Sequence, residues 1–115
     1  MRREQLYLHD IVLAADAIAR FLLGQDSESF DNNDQLESAV AFQLMIIGEA
    51  VAHLPEELKA KYPSIPWIQI TGLRNQVAHQ YFGLAWESIW DTASQEVPVL
   101  RSQVAEILRA ELPES

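Results

Sequence analysis

The sequence predicts an all-α domain: an antiparallel up-down four-helix bundle with a short extra helix and a proline-kinked last helix. Three observations predict it. Apolar residues recur at three- and four-residue steps over long stretches, which is the period of one helix face. Only four glycines and five prolines interrupt 115 residues. No stretch alternates apolar and polar cleanly, so strands have little support.

The elements follow in order. Over residues 4–23, Leu8, Ile11, Ala15, Ile18 and Leu22 form one apolar stripe, and Gly24 stands where a C-terminal stop is expected. Residues 25–33 are polar and acidic and read as a loop. Asp34 with Glu37 has capping-box spacing, with Asp in the usual Ser/Thr place, and predicts the start of a second helix over 34–54. That helix carries Leu36, Val40, Leu44, Ile47, Val51 and Leu54 on one stripe, with Phe42, Met45 and Ile46 beside it. This is more apolar surface than one core face needs. Residues 55–62, opened by Pro55 and closed by Pro63, predict a short helix. A third long helix, holding Trp67, Ile70, Leu73 and Val77, is expected from about 66 to 79 before Gly83 breaks it. The last spans 85–112, with a kink or break at Pro98, where the carbonyl of Ser94 loses its donor. No repeat or linker divides the chain, so residues 1–115 read as a single domain.

Composition bounds the function. At 49% hydrophobic and 22% charged residues the chain has the makeup of one that buries a core. Asp16, Arg20, Gln43 and Glu49 interrupt its richest apolar stretches, and His9, Asp10 and Asp16 follow the N-terminal Met-Arg-Arg too closely for a signal peptide. The expectation is a cytoplasmic protein without a membrane partner. Cysteine is absent, which removes disulfides, thiolate metal sites and a cysteine nucleophile. Histidines stand only at 9, 53 and 79, so no metal site and no cofactor is expected. His9 reads as a surface residue, and His53 as a cation in the last turn of its helix. The net charge of -9 is the wrong sign for broad binding of a polyanion. Nucleic-acid chemistry would have to be local.

One segment gathers chemistry. Arg74-Asn75-Gln76-Val77-Ala78-His79-Gln80-Tyr81 places an arginine, an asparagine, a histidine and a tyrosine at the end of an otherwise apolar helix. Asn75 and His79 share a face, Arg74 and Tyr81 fall within about 20°, and Arg74 and His79 are roughly 140° apart at the backbone. Arginine supplies a permanent charge and a forked donor set suited to phosphate oxygens. Histidine is the side chain whose proton moves near neutral pH. Together they suit attack of a ribose 2′-hydroxyl on the adjacent phosphate, with His79 moving the proton and Arg74 stabilising developing charge. The spacing alone favours a pair that only caps and solvates a helix end.

Arg74 through Tyr81 spells R-x-x-x-x-H-x-Y, which resembles the signature of the HepT-like branch of the HEPN superfamily. Ile47-Gly48-Glu49-Ala50, the lead-in Trp67, Ile70, Gly72 and Leu73, and the following Tyr81-Phe82-Gly83, Trp86, Ile89-Trp90 and Val97-Pro98 also look like that family. The resemblance covers nearly the whole chain. It implies the toxin of a type VII-like toxin–antitoxin pair, a metal-independent endoribonuclease with an RNA substrate, working as a homodimer whose two motifs meet at a shared cleft. Arg74 and His79 would be catalytic, and Asn75 and Glu49 supporting. Tyr81 would be the residue that a cognate minimal nucleotidyltransferase antitoxin modifies with AMP. Two other readings stand beside this one: a non-catalytic nucleotide- or substrate-binding helical partner of a nucleotidyltransferase, favoured by the acidic charge, and a plain dimerisation domain. The apolar excess on the second helix and three tryptophans, Trp67, Trp86 and Trp90, suggest a buried dimer interface.

Overall fold

The computed structural model describes residues 2–111, with the backbone alone at residue 2. Helix α1 (Arg2–Leu22) ends as the sequence predicts, and Gly24 adopts φ 77°, a left-handed conformation that suits glycine. Leu8, Ile11 and Ile18 are fully buried. Helix α3 (Asp34–Ala52) is the centre of the bundle, packed by α1 on one side and α5 (Trp67–Gln80) on the other. Its stripe of Val40, Leu44, Ile47 and Val51 is also fully buried. Helix α7 (Val97–Glu111) closes on α1, burying Leu100, Val104 and Ile107. There Arg101 grips the Asp16 carboxylate with two hydrogen bonds, at 2.9 and 3.3 Å. The architecture is the expected all-α bundle, with no strand among the described residues.

Several local expectations are corrected. Residues 25–33 are not all loop: Ser27–Asp31 forms a short helix, α2, opened by a reciprocal capping box. Asp26 Oδ1 accepts from Ser29 N–H at 2.8 Å, and the Asp26 N–H donates to Ser29 Oγ at 3.0 Å. The α3 cap lies one residue earlier than predicted, since Asn33 Oδ1 accepts from Leu36 N–H at 3.0 Å. Glu37 caps nothing and is buried, 6% exposed, with Oε2 unpartnered among the described residues. Each tryptophan makes contacts within the monomer. Trp67 is buried and donates from Nε1 to the Lys59 and Tyr62 carbonyls at 3.0 Å, tying α4 (Glu56–Lys61) to α5. Trp86 and Trp90, on α6 (Trp86–Asp91), close over Phe30 of α2, with ring centroids 6.1 and 5.5 Å away.

Pro98 does not break the last helix. Thr92–Glu96 widens into a π turn in which Val97 N–H donates to the Thr92 carbonyl, and α7 continues from there. An added residue in the turn before a proline absorbs the missing donor. The predicted helix end at residue 112 lies outside the described residues. By length and mean hydropathy, 19 residues at 1.2, α3 is apolar enough to cross a membrane despite Gln43 and Glu49, which the sequence reading did not anticipate. In the structure it is instead the central helix of the bundle.

Candidate active site on the fifth helix

The site begins with a glycine. A Cβ built on Gly48 would lie 2.8 Å from the Arg74 backbone nitrogen and 3.0 Å from the Ile70 carbonyl oxygen, so α3 and α5 cross here at backbone contact. The crossing sets the next residue of α3, Glu49, beside Arg74. Arg74 Nη1 donates to Glu49 Oε1 at 3.0 Å, with the two side chains 35% and 54% exposed. Glu49, expected as a supporting residue, thus pairs with Arg74 at the surface of the subunit. On its other side Glu49 faces His53, whose Nδ1 lies 2.9 Å from the Glu49 carbonyl oxygen and 3.6 Å from Oε2. Tyr7 of α1 stacks on the His53 ring, with centroids 5.0 Å apart.

The other motif residues go elsewhere. Asn75 and His79 are exposed, and neither side chain makes a hydrogen bond or ion pair with the described residues. The Arg74 guanidinium is turned to α3, so within one subunit it is paired with Glu49 and not with the imidazole. Tyr81 opens a 3₁₀ turn, Tyr81–Gly83, that follows α5. Its hydroxyl lies 2.5 Å from Ser38 Oγ on α3, and its ring meets Trp86 edge-on with centroids 5.5 Å apart. Ser38 and the Tyr7–His53 stack escaped the sequence reading. Their signal was the register of α3, in which Ser38, Phe42, Glu49 and His53 fall on one solvent-facing ridge within about 60°. Phe42 on that ridge is 54% exposed. Toward α4, a cleft of about 530 Å³ opens along α5 with Arg74 on its wall.

Fold and site together define a small all-helical protein that presents one arginine, one histidine and one tyrosine at the end of a helix pinned by a carboxylate. A family model described as Ribonuclease HepT-like matches residues 11–107. The chain belongs to this HepT-like ribonuclease family, as its motif implied. Its relatives include a "putative RNase" of Methanocaldococcus jannaschii, 37% identical over 90% of this chain and 89% of its own. Another from Caldanaerobacter subterraneus is 37% identical over 96% and 99%. The "probable ribonuclease HepT" of Thermococcus cleftensis is 32% identical over 89% and 93%. No solved structure matches.

Proposed function

We propose that this chain is a toxin: a metal-independent endoribonuclease that cuts RNA in the cytoplasm as a homodimer, held in check by a minimal nucleotidyltransferase that adds AMP to Tyr81. Arg74 and His79 are the catalytic pair. In the reaction the 2′-oxygen bonds to phosphorus and the 5′-oxygen bond breaks. One His79 takes the 2′-hydroxyl proton, and a protonated His79 from the second copy gives one to the leaving oxygen. The products are a 2′,3′-cyclic phosphate and a 5′-hydroxyl. Arg74 holds the phosphate oxygens as charge grows on them. Asn75, one turn before His79 on the same face, turns to orient the imidazole once RNA and the second copy are in place.

The observation that carries this reading is the Glu49–Arg74 pair at the Gly48 crossing, which fixes the guanidinium while leaving it one-third exposed to an incoming phosphate. Support for the dimer comes from large apolar side chains left in solvent, Leu6 and Leu13 on α1 and Phe42 on the ridge that carries Glu49. A second copy against that ridge would bring its own Arg74 and His79 to the shared surface. The acidic charge favours the competing view of a non-catalytic partner of a nucleotidyltransferase. Expression in a bacterial host separates the two. Toxicity that Arg74→Ala removes and the partner relieves, with a mass gain of one or more AMP units on Tyr81, supports the toxin. Harmless expression of a folded wild-type chain supports the binding module.

A further inference from the structure

We propose that the cleft between α4 and α5 is a binding subsite for single-stranded RNA, in which Lys59 takes the phosphate next along the strand from Arg74 and the exposed face of Ile68 takes a base. It rests on the ribonuclease reading above and extends it to a part of the surface that the R-x-x-x-x-H motif does not cover.

The register of α5 makes the surface continuous. Arg74, Thr71 and Ile68 follow one another at three-residue steps along the wall of the cleft, and Ile68, Asn75 and His79 share the neighbouring face of the helix within about 40°. A strand seated at Arg74 and followed toward the N-terminus of α5 enters the cleft. What it meets there suits a nucleotide. Ile68 is 85% exposed, beside a Trp67 that is itself buried, so a large apolar face is open next to a cation. Covering such a face with the flat side of a base removes apolar surface from water, whichever base it is.

Lys59 supplies the charge. Its side chain is only 13% exposed, so the aliphatic stem is packed away and the ammonium is held at the cleft. Its partner is Glu56, at 3.5 Å and 92% exposed. A loose surface pair of this kind is worth little, and a phosphate can displace the carboxylate. Three other cations are engaged more closely: Arg101 by Asp16, Lys61 by Glu111 and Arg109 by Glu106. In a chain of charge -9, Lys59 and Arg74 are the two cations on the wall of one cleft.

The test is fluorescence anisotropy of a labelled single-stranded RNA oligonucleotide of mixed sequence on the full chain, carried in a His79→Ala background to prevent cutting, across a salt series. Lys59→Gln is expected to weaken binding by about three- to tenfold and to lower the slope of log Kd against log salt by about 0.7, the loss of one phosphate contact on a single strand. Lys59→Arg restores both. Glu56→Gln tightens binding, and Ile68→Ala weakens it without changing the slope. An unchanged slope in Lys59→Gln overturns the subsite, whether or not affinity falls, because lost packing alone would not alter counterion release. If the wild-type chain cuts RNA while Lys59→Gln leaves KM unchanged, the subsite fails and the ribonuclease reading stands. If the wild-type chain neither binds nor cuts RNA, both fail.

Discussion

Glu49 has a cation on one side and an imidazole on the other, and its work is positional. Both it and Arg74 are partly in water, so their ion pair contributes under about 1 kcal/mol to the fold. On the proposed reaction its effect should be larger, because a guanidinium misplaced by an ångström would lose its grip on the transition state. Glu49→Ala should therefore lower kcat for RNA cleavage about ten- to hundredfold while moving the thermal midpoint by little. A variant that loses stability and activity in parallel would show that the residue is structural. Glu37 is the opposite case, a carboxyl that the site does not use. Burial, with Asp31 and Asp34 nearby, holds it above the ordinary carboxylate range. A carboxyl whose folded pKa exceeds its unfolded one adds stability at low pH, and that contribution disappears as pH rises from the unfolded value through the folded one. At pH 7 the buried charge is a burden. Glu37→Gln should stabilise the fold there by roughly 1 kcal/mol, and it should flatten the acid side of the stability profile. Chemical denaturation at pH 4, 5.5 and 7 measures both effects, and a variant less stable than wild type at pH 7 contradicts the account.

At the scale of elements, the Gly48 crossing decides whether the site exists. With a Cβ 2.8 Å from the Arg74 backbone nitrogen, Gly48→Ala forces α3 and α5 apart, because backbone cannot rotate away as a side chain would. The expected cost is about 1–3 kcal/mol in urea denaturation, with loss of cleavage beyond what unfolding explains. Wild-type stability in that variant would mean the helices do not meet there. The long helices were legible because each repeats an apolar stripe four or five times, enough to override local ambiguity. Short elements offered no such repetition. Five residues of α2 hold one buried side chain, Phe30, and their Asp26–Ser29 box is indistinguishable in sequence from a polar loop. The irregularity around Pro98 was legible in place but not in kind: a proline announces a missing donor, and the chain answers with a π turn over Thr92–Glu96.

For the whole molecule, the question is what covers the ridge of α3. Phe42 stands 54% exposed between Ser38 and Glu49, each of which anchors a residue of the α5 motif. If that ridge is the dimer face, Phe42→Asp should shift the protein to monomer in analytical ultracentrifugation, without loss of helical signal, and should abolish cleavage. A dimer that survives the substitution would place the interface elsewhere. The excess apolar surface of α3 was readable, whereas the roles of the tryptophans within the monomer were not, because nothing in a sequence tells an indole covering its own core from one awaiting a partner. Arg74, Asn75, His79 and Tyr81 were visible as a cluster through their spacing on one helix. Ser38, 43 residues from Tyr81 in sequence, becomes its neighbour only through the tertiary packing of α3 against α5.

The most direct measurement is the purified wild-type chain and its His79→Ala variant, each incubated with RNA in EDTA, with the product ends analysed. The account predicts cutting by the wild type that leaves 2′,3′-cyclic phosphate and 5′-hydroxyl ends, and at least a hundredfold loss in the variant with its helical fold intact. Cleavage that persists in His79→Ala, or that stops when EDTA is added to the wild type, would contradict it.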